Sequence, residues 1–158
     1  GELVIRGANV MQGYWNKPEA TVQTFREGAT RNDTWLYSGD LFRRDEEGFL
    51  YFVSRKDDLI KTKGERVSPK EIEDMLCSME GVAEAAAIGV PDDISGQAIK
   101  VFIVKNGNSE VSESAVLSYC NQNLEPFMIP KYVQFSEAMP KTPTGKIDKK
   151  MLSSTVSE

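Results

Sequence analysis

The sequence contains no histidine. Within this chain that excludes Ser-His-Asp triads, Cys-His dyads and histidine-ligated zinc. Any chemistry must rest on Lys, Arg, Asp, Glu and backbone amides, and no metal site is expected. There is no run of 18 apolar residues, so no membrane span is predicted. A signal-peptide pattern is also lacking, and a cytoplasmic location is the expectation. Cysteine is scarce: Cys77 and Cys120 lie 43 positions apart. Both fall in helical patterns beside Leu76 and Leu117, which predicts buried thiols of a reducing compartment rather than a disulfide. Positive charge is not in excess: 19 basic and 24 acidic residues give a net charge of −5, which argues against a whole-surface nucleic-acid footprint. An initiator methionine is missing, and the chain starts mid-pattern at Gly1-Glu2-Leu3-Val4-Ile5. That start is expected of a piece of a longer protein.

What is present is the composition of a globular chain. Its 158 residues are 40% hydrophobic and 27% charged, enough to bury a substantial core. The charge is unevenly spread. Arg55 to Lys70 carries six basic and three acidic residues, and Lys131 to Lys150 carries five and two. Two local basic clusters in an acidic chain suit a small anionic ligand better than a polymer.

Residues 1 to 55 read as strand-rich, with a short helix starting at Pro18. A β-hairpin is expected across the acidic turn Asp45-Glu46-Glu47-Gly48. Beyond Arg55 the pattern changes. Leu59-Ile60 is a brief strand, and Ser68-Pro69-Lys70-Glu71 is a helix start with Ser at the cap and Pro at the first position. Strands are predicted over 82–90, 98–104 and 132–135, with a Pro91-Asp92-Asp93 turn after the first and a second helix capped by Ser112. Residues 139 to 150 read as a polar loop. The β-α-β-β-α-β order of the second part predicts a small α+β unit, with its boundary near Arg55 to Asp58.

Three segments could carry chemistry. Pro140 to Lys150 contains Thr144-Gly145-Lys146 but is not a P-loop, because Pro140 and Ile147 stand where Gly and Ser or Thr are needed. It is either a glycine-hinged loop presenting the Lys146 ammonium to an anion or a solvated basic loop. Ser54 to Arg66 places Gly64 among charges, which allows a close backbone approach by a ligand or a simple hairpin turn. Tyr37-Ser38-Gly39-Asp40 offers a carboxylate whose two oxygens could accept vicinal ribose hydroxyls, or forms an ordinary Asx-type turn.

Taken in order, the segments resemble the adenylate-forming superfamily, which comprises acyl-CoA synthetases, peptide-synthetase adenylation domains and luciferase-like enzymes. The residues that carry the resemblance are Gly1 to Gly7 with Gly13-Tyr14, then Tyr37-Ser38-Gly39-Asp40, then Arg55 to Arg66 running into Pro69-Lys70-Glu71-Ile72-Glu73, then Pro143-Thr144-Gly145-Lys146. The resemblance implies an α+β chain made of two parts. Residues 1–55 would be the strand-rich end of a large N-terminal domain. Residues 56–158 would be the mobile C-terminal domain, with a three-stranded sheet, a β-hairpin and flanking helices.

It further implies an AMP-forming acid–thiol ligase that uses ATP, Mg2+ and CoA. A carboxylate is first activated as acyl-adenylate with release of pyrophosphate, then passed to the thiol. By matching position Lys146 would be the adenylation lysine, while Asp40, Arg55 and Tyr37 would meet the nucleotide. Asp57 with Lys56 would form the hinge, and Lys61, Gly64 and Arg66 would lie on the thiolation face. Ser38 stands where Thr is commoner, and Ser54 where Gly is usual. The acyl pocket, the glycine-rich phosphate loop and most Mg2+ contacts would lie upstream of Gly1, so the isolated chain is expected to be inactive. The alternatives are loading of a carrier-protein phosphopantetheine and a non-catalytic binding module. Ile60-Lys61-Thr62-Lys63-Gly64 leans towards the CoA-using members. No sequence feature specifies an oligomeric state.

Overall fold

The structure, a computed structural model, describes residues 1–28, 30 and 33–155. The chain divides into two units, Gly1–Asp57 and Asp58–Glu158. The first is a four-stranded antiparallel sheet made of β1 (Glu2–Arg6), β2 (Phe25–Glu27), β3 (Thr34–Arg44) and β4 (Leu50–Arg55), with helix α1 (Pro18–Thr24). The long β3 is central. It pairs with β1, with β2 at its start and with β4 at its end. The expected acidic turn closes the β3–β4 hairpin: Asp45 Oδ1 accepts the Phe49 amide at 2.8 Å, and the Gly48 amide donates to the Asp45 carbonyl at 3.2 Å.

In this unit only Phe25 and Ser54 are buried among the described residues. Leu50, Tyr51, Phe52 and Val53 of β4 are all exposed, and Trp15 is 90% exposed.

The second unit holds the core. Its sheet contains β5 (Ile60–Thr62), β6 (Glu65–Val67), β7 (Val82–Asp92), β8 (Gly96–Lys105) and β9 (Tyr132–Ser136). The β7–β8 hairpin pairs antiparallel from Val82↔Lys105 to Asp92↔Gly96, and β9 lies parallel to β8. These three strands are the expected three-stranded sheet. The β5–β6 hairpin joins β8 at Thr62↔Gly96.

Alternation along β7 and β8 sends side chains to two faces. Ala85, Ala87, Ile99, Val101 and Ile103 meet α2 (Pro69–Cys77) and α3 (Glu113–Asn123) through Ile72, Leu76, Val116 and Cys120. Ala86, Ile88, Val90, Ala98 and Phe102 meet Met139, Ile147 and, from α4 (Lys149–Ser154), Leu152. Burial on both faces explains why 98–104 reads as an almost unbroken apolar run.

Several expectations need correction. The strand expected over 82–90 continues through Pro91, which is tolerated because among the described residues β7 is paired only with β8 and its other edge needs no ladder donor there. The stretch expected to be loop to residue 150 ends in α4, whose cap is Asp148: its carboxylate accepts the Lys150 and Met151 amides, both at 3.1 Å. Ser68 holds the cap position of α2, but its side chain makes no capping bond, whereas Ser112 accepts the Ala115 amide at 3.2 Å. Cys120 is buried, and burial raises its thiol pKa to about 11. Cys77, expected to be buried, is exposed at the last residue of α2, one step past Leu76 on the helix. Partial desolvation, then the nearby carboxylates of Asp74, Glu73 and Glu84, still raise its pKa. Both thiols are free.

Ile72 is fully buried between α2 and the sheet. Ile72→Ala should therefore destabilise the chain by about 2–5 kcal/mol, read as a lower urea midpoint at unchanged slope.

Candidate functional site

The first unit gathers one group of predicted residues. Asp40 and Arg55 face each other as register partners across β3 and β4, and Arg55 Nη1 lies 2.8 Å from Asp40 Oδ1. The register shift falls beside them: Leu41 pairs with Ser54, then Phe42 with Phe52, leaving Val53 as the extra residue of a bulge. Arg55 Nη2 also reaches Asp57 Oδ2 at 3.8 Å, so one guanidinium spans both carboxylates. The Asp40 side chain is 30% exposed and each carboxylate oxygen has two lone pairs, so it retains capacity to accept hydroxyl donors.

The turn before Asp40 is held tightly. Ser38 Oγ donates to the Leu3 carbonyl at 2.9 Å and accepts the Asp40 amide at 3.1 Å. A Cβ on Gly39 would lie 3.1 Å from Arg55 Nη2, so a glycine leaves room for the guanidinium. Lys56 donates its amide to the Gly39 carbonyl at 2.8 Å, and its ammonium lies 3.4 Å from Glu2 Oε2. Tyr37 stands apart from this network. Its ring is covered by the Arg26 guanidinium at 3.9 Å.

Sequence reasoning missed Glu2, which accepts the Gly39 amide at 3.2 Å as well as pairing with Lys56. A contact 37 residues away leaves no local signal.

In the second unit, Lys61 and Arg66 are direct register partners on β5 and β6, which places two cations on one face of the hairpin. Its two-residue turn has positive φ at both Lys63 (+52°) and Gly64 (+84°), the geometry of a type I′ turn. A Cβ on Gly64 would meet nothing within 4 Å. Glycine is therefore favoured here by the backbone conformation and not by crowding. The turn is tied to the β7–β8 turn by the Lys63 amide, which donates to the Ser95 carbonyl at 3.0 Å.

Asp92 organises that second turn, accepting from the Ile94 amide at 3.2 Å and from Lys131 Nζ at 2.9 Å. The Lys131 bond, then the Ile94 amide, hold the Asp92 carboxyl below its usual range.

Lys146 sits on a closed loop. Lys141 and Ile147 form an antiparallel bridge, the Thr142 amide donates to the Lys146 carbonyl at 2.8 Å, and the Gly145 amide donates to the Thr142 carbonyl at 2.8 Å. Of the neighbouring lysines, Lys141 pairs with Glu84 at 2.8 Å and Lys149 with Glu73 at 2.7 Å. Lys146 is exposed and makes no ion pair among the described residues. The loop therefore holds its backbone and leaves this ammonium available.

Lys146 and the Gly64 hairpin are rooted on opposite faces of the sheet. Ile60 and Val67 of the hairpin belong to the face covered by α2 and α3, and Met139 and Ile147 to the other. Among the described residues no group of three or more Cys, Asp or Glu side chains could hold a metal ion. No helix described is long and apolar enough to cross a membrane.

This two-faced unit defines a class. Residues 71–146 match the family model of the AMP-binding enzyme C-terminal domain. The resemblance to adenylate-forming enzymes is borne out along the rest of the chain. It is 44% identical over 147 residues to a long-chain-fatty-acid–CoA ligase of Escherichia coli O157:H7, covering 93% of this chain and 25% of that protein. Two solved structures are similar to it. ATP-bound MatB from Rhodopseudomonas palustris shares 34% identity at TM-score 0.85, covering 98% of this chain and 31% of that one. The o-succinylbenzoate CoA synthetase of Bacillus subtilis, in complex with its acyl-adenylate intermediate, shares 32% identity at TM-score 0.85, covering 100% and 30%. The chain thus spans a quarter to a third of the length of these relatives.

Two stability predictions follow from the turns. Gly64→Ala should cost about 1 kcal/mol of unfolding free energy through the left-handed φ alone, with Gly64→Asn costing less, both read by chemical denaturation. For Asp92, the depressed pKa means its pairing stabilises the fold above the unfolded carboxylate pKa, about 4. That contribution is lost as pH falls through the lower folded value. Asp92→Asn should flatten the acid limb of a plot of melting temperature against pH.

Proposed function

We propose that this chain is the C-terminal part of an AMP-forming acid–thiol ligase. The full-length protein would convert a carboxylate and ATP to acyl-adenylate and pyrophosphate, then form the CoA thioester in the cytoplasm. The observation that carries the reading is the opposed rooting of two exposed segments on one sheet. One presents an unpaired ammonium and the other a basic hairpin with an open turn, so a single rigid unit would have to turn to offer each to the same reacting centre.

In the first half-reaction a carboxylate oxygen attacks the α-phosphorus and pyrophosphate leaves. Two anions must approach, and Lys146 would stabilise the charge gathering on the phosphoryl oxygens. Asp40 would accept the ribose hydroxyls, with Arg55 holding its carboxylate and facing the phosphate side. In the second half-reaction the thiol would approach along Gly64, where a Cβ would meet no atom of this chain, with Lys61 and Arg66 nearby for the anionic carrier of the thiol. Asp57 and Lys56 would form the hinge, which agrees with the division of the chain after Asp57. Free CoA is favoured over a carrier-protein arm because the relative of highest identity reported above is named a CoA ligase. No metal cluster occurs among the described residues, so the Mg2+ accompanying ATP is assigned no ligand here.

The first unit would be the closing edge of the large adenylating domain. Its sheet exposes four successive apolar residues of β4 and buries only two described residues, too little to sustain a sheet by itself.

The test is a separation of half-reactions in the full-length enzyme. Lys146→Ala should lower adenylation, measured by pyrophosphate exchange, by about 10²–10³, the scale of one preorganised electrostatic contact. Thioester formation from preformed acyl-adenylate should be nearly spared. Gly64→Trp should do the reverse. Equal losses in both steps would defeat the reading. The 158-residue chain alone should show no carboxylate-dependent pyrophosphate exchange.

A further inference from the structure

The reading of Lys146 leaves open what holds its loop. Two carboxylates do so from the body of the unit. Glu73, on α2, accepts with a single oxygen from two directions: Oε1 lies 2.8 Å from the Ala87 amide and 2.7 Å from Lys149 Nζ. The Ala87 amide is a donor of β7, whose only strand partner among the described residues is β8. Lys149 is the first residue of α4 and follows the cap Asp148, whose amide donates to the Pro140 carbonyl at 2.8 Å. Glu73 thereby ties α2, β7 and the outgoing end of the Lys146 loop at one point, and its side chain is only 18% exposed. At the incoming end Lys141 pairs with Glu84, which is more open at 36%.

We infer that Glu73 is a positioning residue for adenylation, acting through Lys149 to fix where Lys146 can place its ammonium. This rests on the assignment of Lys146 to that half-reaction. The shared oxygen is the reason to single out Glu73 over Glu84. A lysine held by a mostly covered carboxylate that is itself fixed by a backbone amide has little freedom, whereas an exposed pair is weakly restrained. Only Ile147 and Asp148 separate Lys149 from Lys146, so drift of the α4 start moves the reacting cation. The hairpin bearing Gly64 packs through Ile60 and Val67 against Ile72 and Leu76 of α2, the helix that also carries Glu73, whereas the Glu73 carboxylate itself bonds to Ala87 and Lys149. A purely structural role for Glu73 would weaken both half-reactions, and a positioning role weakens one.

The experiment compares Glu73→Gln, Lys149→Met, their double mutant and Lys146→Ala in the full-length enzyme. Melting temperature and both half-reactions are measured for each. Glu73→Gln retains an acceptor for the Ala87 amide and removes only the charge. It should lower kcat for pyrophosphate exchange by about tenfold, since a misplacement near 1 Å costs up to about 10². The KM for ATP and the thioester step should be nearly unchanged. The double mutant should be no worse than the more impaired single mutant, as expected for two residues acting through one contact, and Lys149→Arg should restore most of the rate.

Parallel loss in both half-reactions, additive losses in the double mutant, or an unimpaired Glu73→Gln would overturn the inference while leaving Lys146 in place. If Lys146→Ala itself spares adenylation, the assignment of that lysine fails, and this inference fails with it.

Discussion

The pairing of β7 with β8 sends alternate side chains into two separate apolar clusters. Ala85 and Ala87 go one way, and Ala86 and Ile88 the other. Such a ribbon is rigid because neither face can move without disturbing a core packed at crystal-like density. The small alanines let α2 lie close on one face, while Phe102 fills the other beside Met139 and Leu152. Each functional segment is then attached to a different side of the same stiff element. The opposition of the Lys146 loop and the Gly64 hairpin is thus a consequence of strand alternation.

The legibility of the fold follows the range of the interactions that make it. Helix starts at Pro18, Pro69 and Ser112 are readable because a proline in the first turn or a capping serine acts within four residues. The β3–β4 hairpin was readable because its acidic turn is local. The start of α4 is hidden because Pro143 and Gly145 give the stretch a loop composition, and its stability comes from Leu152 reaching sheet residues 50 to 66 positions earlier in sequence. Cys77 was misplaced for a related reason. Helical spacing defines a face only to within one residue at the last turn.

Part of the candidate site was legible as well. Asp40, Arg55, Gly64 and Lys146 stand out by residue type and order. Their supports do not. Glu2, Glu73 and Glu84 sit in ordinary charged stretches, and each becomes informative only when the fold brings a lysine or an amide to it across 14 to 76 positions. Tyr37 stands out by its neighbours in sequence, and the structure lays the Arg26 guanidinium over its ring.

The basic clusters also take on a different meaning. Summed charge treats the lysines of 131–150 as equivalent, but the structure separates them. Lys131, Lys141 and Lys149 are each matched to a carboxylate of β7 or α2, so their charge is spent on holding turns and loop ends. Lys146 and Lys150 are left without such a partner among the described residues, and of these two Lys146 lies in the loop closed by the Lys141–Ile147 bridge while Lys150 belongs to α4. A cation fixed in place by neutralised neighbours attracts an incoming anion without the reorganisation that a mobile cluster would require. Net charge therefore says little about this segment. What matters is which ammonium the carboxylates of the body leave uncompensated.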